Sequence, residues 1–289
     1  MALPPAHLPS TATIVRQQLR VVAGALRHEI RALAAALILL CLFAALGGLG
    51  REPLVGEPSF LLFALPVAAV LPMAVWRGES LFGRAYLWTL PARRQGNAVA
   101  RIFSGAVWLI VAMSVTLLVI AVIAWASGGH MGVTEMRLVS ADVNPSEAAK
   151  VTWTTPAWEY FAPFTAGLTV YGLSTAAIVG LRHPLRWVLG AALACGLLIA
   201  FLLQTLPGTP LTIGVETVRE QLWFGPYGLD NALSGGNYGL AHQVELPNGD
   251  TDFVWSSLPS LLPWLQSTAA WMAVTLLLIA LAVRRHAER

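Results

Sequence analysis

Six runs of roughly twenty residues each are so apolar that this chain has few folds open to it. They cover Ala32–Gly50, Ser59–Trp76, Ile102–Ala126, Phe161–Leu181, Leu185–Leu206 and Trp264–Val283, and Arg186, at the mouth of the fifth, is the lone charged residue in any of them. An α-helix rises 1.5 Å per residue and a bilayer's hydrocarbon core is about 30 Å thick, so each run is long enough to cross it. Only 11% of the 289 residues are charged, against about 25% in ordinary soluble domains, which excludes a soluble globular protein. The expectation is an all-α polytopic membrane protein with six transmembrane helices. The first run is longer than a signal-peptide core and lacks a small-x-small cleavage site, so it reads as an uncleaved span. The second carries Pro66 and Pro72 and is expected to kink. Cys41 and Cys195 fall mid-run, where a thiol is expected to pack as a small buried hydrophobe. Trp76, Trp125, Trp187 and Trp264 sit near span ends, as interfacial aromatics do.

Arginine placement sets the orientation, because positive residues are retained on the cytoplasmic side. The N-terminus, the second-to-third loop, the fourth-to-fifth turn and the C-terminus together hold fourteen of the eighteen cations and three of the fifteen acids; the alternate loops hold four cations and twelve acids. Both termini are therefore expected inside. A single lysine, Lys150, among these cations suggests a GC-rich bacterial genome, hence a bacterial inner membrane.

The segments between the spans have their own patterns. In residues 1–31, Val15, Leu19, Val22, Leu26 and Ile30 repeat at helical spacing with Arg16, Arg20, Arg27 and Arg31 on another side. This is an amphipathic helix lying in the inner membrane interface or packed on a partner. Outside the membrane, residues 127–160 and 207–263 are too long for plain connections. Leu240, His242, Val244 and Leu246 alternate before Asn248-Gly249, with Phe253 and Trp255 after it, which predicts a β-hairpin. A weaker pair flanks Asn144-Pro145, and together these predict a small mixed cap on the outer face.

The second-to-third loop, residues 77–101 within the 32–126 block of the first three spans, carries the most specific pattern. Glu79, Phe82 and Tyr86 share one helical face that Leu90 extends, and Leu90-Pro91 then breaks the helix before the third span. Proline suits the first position of that next helix, since its missing N–H is unneeded there. An acidic residue, a short helix, then Leu90-Pro91-Ala92-Arg93-Arg94 resembles the ABC-2-type transporter permease superfamily. The resemblance is specific only over Glu79–Arg101, while six spans with both termini inside match it in topology. It implies that this loop is a coupling helix docking on a separate ATPase, that two ATPase copies serve a permease dimer of this chain with a second, identical copy, and that ATP and Mg reside on the ATPase. Glu79, Arg84, Arg93 and Arg94 would supply polar contacts to the ATPase, and Phe82, Tyr86 and Trp88 would fill a groove on the ATPase, with Leu90 and Pro91 closing the docking segment. The plain alternative is a positive-inside loop whose side chains are interfacial anchors. An enlarged fifth-to-sixth outer loop also matches the family, whereas the large loop between the third and fourth spans and the partly β character of the fifth-to-sixth loop depart from its pattern and leave the substrate class open.

Other chemistries lack their residues. A phosphate-binding loop needs Gly-Lys-[Ser/Thr], and Lys150 follows Ala149, so ATP hydrolysis is expected from a partner chain and this chain is expected to be neither an enzyme nor a carrier of its own cofactor or metal. Proton-coupled transport calls for ionisable groups within spans, and their interiors hold none; sodium coupling is less constrained, since carbonyls and hydroxyls can bind that ion. Thr169, Tyr171, Ser174 and Thr175 in the fourth span are expected to hydrogen-bond between helices. His28-Glu29 lacks the second histidine of a metalloprotease helix. The reading is the permease subunit of an ATP-driven exporter with no nucleic-acid partner; the other class considered is a membrane scaffold or sensor whose outer cap binds a ligand or partner.

Overall fold

The computed structural model describes residues 10–47, 53–77, 94–237, 239–245 and 251–287. Two helices open the chain, α1 (Thr11–Ala25) and α2 (Arg27–Gly47). A 3-10 helix over Pro58–Ala64 runs into α3 (Leu65–Val75), and then comes α4 (Arg94–Ala126). After the first hairpin, β1 (Thr134–Val139) and β2 (Ala149–Thr154), a 3-10 turn at Ala157–Tyr160 leads into α5 (Ala162–Gly180), followed by α6 (Pro184–Thr205), α7 (Pro210–Phe224) and the short α8 (Leu229–Ser234). A second hairpin, β3 (Ala241–Glu245) and β4 (Thr251–Trp255), precedes α9 (Leu261–Ala287).

Six helical stretches are long and apolar enough to cross a membrane: Arg27–Ala45, Pro58–Val75, Gln95–Ala126, Ala157–Gly180, Pro184–Thr205 and Leu261–Arg285. They match the six apolar runs, with earlier starts at several ends. At 33 residues, α4 is about 50 Å long, well beyond the thickness of a hydrocarbon core of about 30 Å. The second span changes character at Pro66, being 3-10 before it and α-helical after it. A proline there has no N–H to give to Leu62, so the i→i−4 ladder cannot continue backwards through it. Pro72 is accommodated inside α3, fully buried.

The core forms around α5, which packs against α9, α3 and α4. Close approach there depends on missing side chains. A Cβ on Gly105 of α4 would fall on the Tyr171 hydroxyl, and one on Gly172 of α5 would strike the Thr275 methyl of α9. With Gly105 in place, the Tyr171 hydroxyl donates to the Ile102 carbonyl across the helix pair at 3.0 Å. Small residues at helix contacts are how spans pack when lipid offers no hydrophobic incentive to associate. The hydroxyls of Thr169 and Thr175 donate to carbonyls four residues back in α5, so of the expected interhelical set Tyr171 makes the bond to backbone of another helix, and Thr169 also meets the Met272 sulfur.

The apolar stripe of α1 lies against α4. Val22 and Leu26 are buried there, Val15 and Leu19 partly so, and the Trp108 indole donates to the Leu19 carbonyl at 3.2 Å. The partner of that stripe is thus this chain's own third span. Arg16, Arg20, Arg27 and Arg31 are exposed, as expected for the polar side.

On the other side of the bundle the two hairpins merge into one four-stranded sheet in the order β2-β1-β4-β3. Alternation at His242 and Val244 is realised in β3, where His242 faces Val254 and Val244 faces Asp252 across the antiparallel pair; Asn248 and Gly249 lie outside the described residues. Asn144 accepts from the Ser146 amide and opens a 3-10 turn between β1 and β2. The parallel β1–β4 pairing, Leu138 to Val254 and Val139 to Trp255, joins segments more than 100 residues apart.

Two expectations are corrected. Cys41 and Cys195 are exposed, not packed, because α2 and α6 present no buried side chain among the described residues. Trp76 and Trp264 are buried at 4% and 6% exposure and so are not interfacial anchors; Trp264 stacks on Trp158 with centroids 5.3 Å apart. Trp125 and Trp187 are exposed as anticipated. The segment after α6 contains α7 as well as strands, and its signal was in the sequence: Thr209 caps the helix by accepting from the Thr212 amide, with Pro210 in the first turn and Gly225 at the end.

Candidate functional site

Of the residues expected to dock a partner, Glu79, Phe82, Arg84, Tyr86, Trp88, Leu90, Pro91 and Arg93 lie outside the described residues, and Arg94 is the first residue of α4. What is described is the pair of stems from which the 78–93 segment springs, and they are tied together. Arg101, about two turns into α4 and 4% exposed, donates from Nε and Nη2 to the Val75 carbonyl at 2.8 and 2.7 Å. That carbonyl belongs to the last turn of α3, where backbone acceptors lack helical donors and an arginine satisfies them well. The same guanidinium lies 5.1 Å from the centroid of the Trp76 ring, a cation–π geometry. One side chain of α4 therefore holds the end of α3.

A second tie reaches the first span. Arg77 Nη2 donates to Glu29 Oε1 of α2 at 2.5 Å. Both side chains are substantially exposed, 54% and 33%, so the pair contributes at most about 1 kcal/mol and serves chiefly to fix direction. With α1 lying along α4 through Trp108, the starts of α2 and α4 and the end of α3 meet at one face of the bundle. Arg101 and Glu29 were not among the residues expected to matter. An arginine followed at once by an uninterrupted apolar helix was the available signal for Arg101, since a charge that close to a span requires a partner.

A concave feature lies on the sheet side. Strand alternation and register place Glu135 and Arg137 of β1, Trp153 of β2 and Trp255 of β4 on one face of the sheet. Arg137 is layered between two indoles, its Cζ 3.8 Å from the Trp255 ring centroid and 4.8 Å from that of Trp153. Its Nε donates to Glu135 at 2.6 Å. Between this face, the start of the second span and the start of α5 is a cavity of about 250 Å³. Close by, Asp230 of α8 is 5% exposed and accepts from the Ser234 hydroxyl and the Gly239 amide, while Ser267 of α9 donates to the Gly228 carbonyl at 2.6 Å. These bonds pin the α8 corner onto α9 and form one side of the cavity's surroundings.

Among the described residues no group of three or more His, Cys, Asp or Glu is placed to hold a metal ion. Comparison with protein-family models, with curated proteins and with solved structures gives no match.

Proposed function

We propose that this chain is the membrane-spanning permease subunit of an ATP-driven exporter, working as a dimer and docking two copies of a separate ATPase through its second-to-third loop. Both termini and that loop are cytoplasmic in this reading, and the sheet caps the outer face. The single observation that carries it is the placement of the Glu79 to Arg94 pattern between α3 and α4, two spans whose adjoining ends are locked by Arg101. A partner pushing on such a loop would move both spans as one piece instead of bending the connection. The Arg77–Glu29 pair extends that linkage to α2, and the unpacked surfaces of α2 and α6 leave apolar area for lipid and for the second copy. ATP and Mg belong to the ATPase.

The test is copurification of the ATPase with purified permease variants, together with ATP hydrolysis in lipid. Glu79→Arg places a repulsive charge at the docking surface, where reversing one member of a desolvated pair costs about 2–5 kcal/mol; Tyr86→Ala removes aromatic packing. Each is expected to insert normally and to bind the ATPase more weakly or lose coupled hydrolysis. Full retention of both properties in both variants would sink the proposal. The second reading, a membrane sensor with a ligand-binding cap, is favoured by the cavity beneath the sheet, and it requires no ATPase to copurify.

A further inference from the structure

The cavity under the sheet is lined by charged side chains that the protein brings in from water and that keep individual atoms without a hydrogen-bond partner among the described residues. Arg137 Nη1 and Glu159 Oε1 are both shielded from solvent and without a hydrogen-bond partner among the described residues, and both side chains line the same cavity. Leaving one buried polar atom unsatisfied costs on the order of 1–3 kcal/mol, more when the group is charged, so two such atoms, on side chains that line one space, call for a partner. The charge balance says what. Glu135 is matched by Arg137 through Nε, and among the described residues Glu57 receives the Ser59 hydroxyl at 2.8 Å and no other donor. Glu159 has the Arg137 charge and an Asn237 hydrogen bond beside it, yet Glu57, Glu135 and Glu159 set three carboxyls against one guanidinium around the cavity, while Arg137 Nη1 still lacks an acceptor among the described residues. The occupant needs an ammonium group for the carboxylates and an anionic or strongly accepting oxygen for Nη1.

We infer that this cavity binds a small zwitterion, its primary ammonium held by Glu159 and Glu57 and its anionic group held by Arg137. The volume of about 250 Å³ lies just below that of drug-sized sites and suits a ligand of amino-acid or lipid-headgroup size. Trp255 in the cavity wall adds an aromatic face, and the indole pair on either side of Arg137 holds the guanidinium in place before any ligand arrives. Pro58 and Pro163 in the lining belong to the first turns of two spans, so the site stands at headgroup level and can be reached from a bilayer leaflet as well as from solution. Neither source alters the chemistry, and the site stands independently of the transport reading.

Calorimetric titration of the purified, delipidated full chain would separate the sources. Glycerophosphoethanolamine is the headgroup probe, each of the twenty protein amino acids is a free-solute probe, and acetate, ethylamine and glycerophosphocholine each lack one required half. Saturable binding is expected from glycerophosphoethanolamine, an amino acid or both, and which of them binds assigns the source. The three controls should bind at least about tenfold more weakly, as should the binding zwitterion to Glu159→Gln and to Arg137→Lys, since each variant loses a charge-assisted bond. Glu159→Gln hardly changes shape, so it decides the matter even if Arg137→Lys disturbs the indole stack. The inference is overturned if no zwitterion binds saturably, if glycerophosphocholine binds as well as its ethanolamine counterpart, or if Glu159→Gln leaves affinity unchanged; water then fills the cavity.

Discussion

α5 and α6 follow one another with three residues between them, and hydropathy ranks both as spans, yet the structure treats them oppositely. Eleven of the nineteen residues of α5 are buried; none of the twenty-two in α6 is. The buried helix is the less hydropathic of the two. In water that ranking would be paradoxical, but lipid tails are as apolar as leucine, and apolarity gives a span no reason to seek protein. Close backbone approach and hydroxyl bonding provide the reason instead. α5 has both, with Gly172 against Thr275 and Tyr171 reaching Ile102, whereas Leu189, Leu193, Leu197 and Phe201 of α6 are more than half exposed. Burial in this bundle follows shape, not greasiness.

The sharpest way to break that contrast is to truncate one aromatic in each helix. Tyr171→Ala removes a side chain that is 2% exposed together with its bond to α4, and should cost about 3–5 kcal/mol. Phe201→Ala, on a residue 59% exposed, should stay within about 0.5 kcal/mol. Equilibrium unfolding of the purified protein in mixed micelles measures both, and equal losses would show that α6 packs as tightly as α5 in the assembled protein. Next in size is Arg101→Met, which tests whether the α5 bundle owes its order to α3 being held at its end. Losing two bonds to the Val75 carbonyl should cost at least about 1.5–3 kcal/mol, and Arg101→Lys should recover only part, since lysine lacks the forked geometry. Unchanged unfolding for Arg101→Met would mean that α3 is held by side-chain packing alone.

A finer comparison adds one methyl. Gly172→Ala forces a Cβ into contact with Thr275 and should destabilise by about 1–3 kcal/mol, while Gly196→Ala in α6 meets open space and should change stability by no more than about 1 kcal/mol, if anything upward. A marked loss at Gly196 would reveal a second copy seated against α6. The smallest effect is expected at Thr209→Ala. Removing the cap of α7 should cost about 1 kcal/mol locally; because Thr212 is the one buried residue of that helix, the loss should be read as faster amide exchange over residues 210–216 with global unfolding unchanged. A fall in global stability would show α7 to be part of the packed bundle.

Much of this was readable from residue order alone. Six spans follow from run length against bilayer thickness, and both hairpins follow from alternation around Asn144-Pro145 and Asn248-Gly249, because these are properties of a segment and its solvent. The pattern from Glu79 to Arg94, which motivates the docking proposal, is likewise sequential. Tertiary structure decided the rest. Which spans are buried depends on whether a glycine meets a tyrosine from another helix, as Gly105 meets Tyr171, and no periodicity within one helix records its neighbour. The union of the hairpins through Leu138 and Val254 depends on the bundle bringing distant loops together, at a loop-closure cost that pairing within either hairpin does not bear. Arg101 looks like one more positive residue beside a membrane until the end of α3 is laid beneath it. Arg137 and Glu159 likewise stand 22 positions apart with nothing linking them in the sequence, and only folding removes both from water around the same cavity, because desolvation is a property of the space a side chain is brought into and not of the chain that brings it.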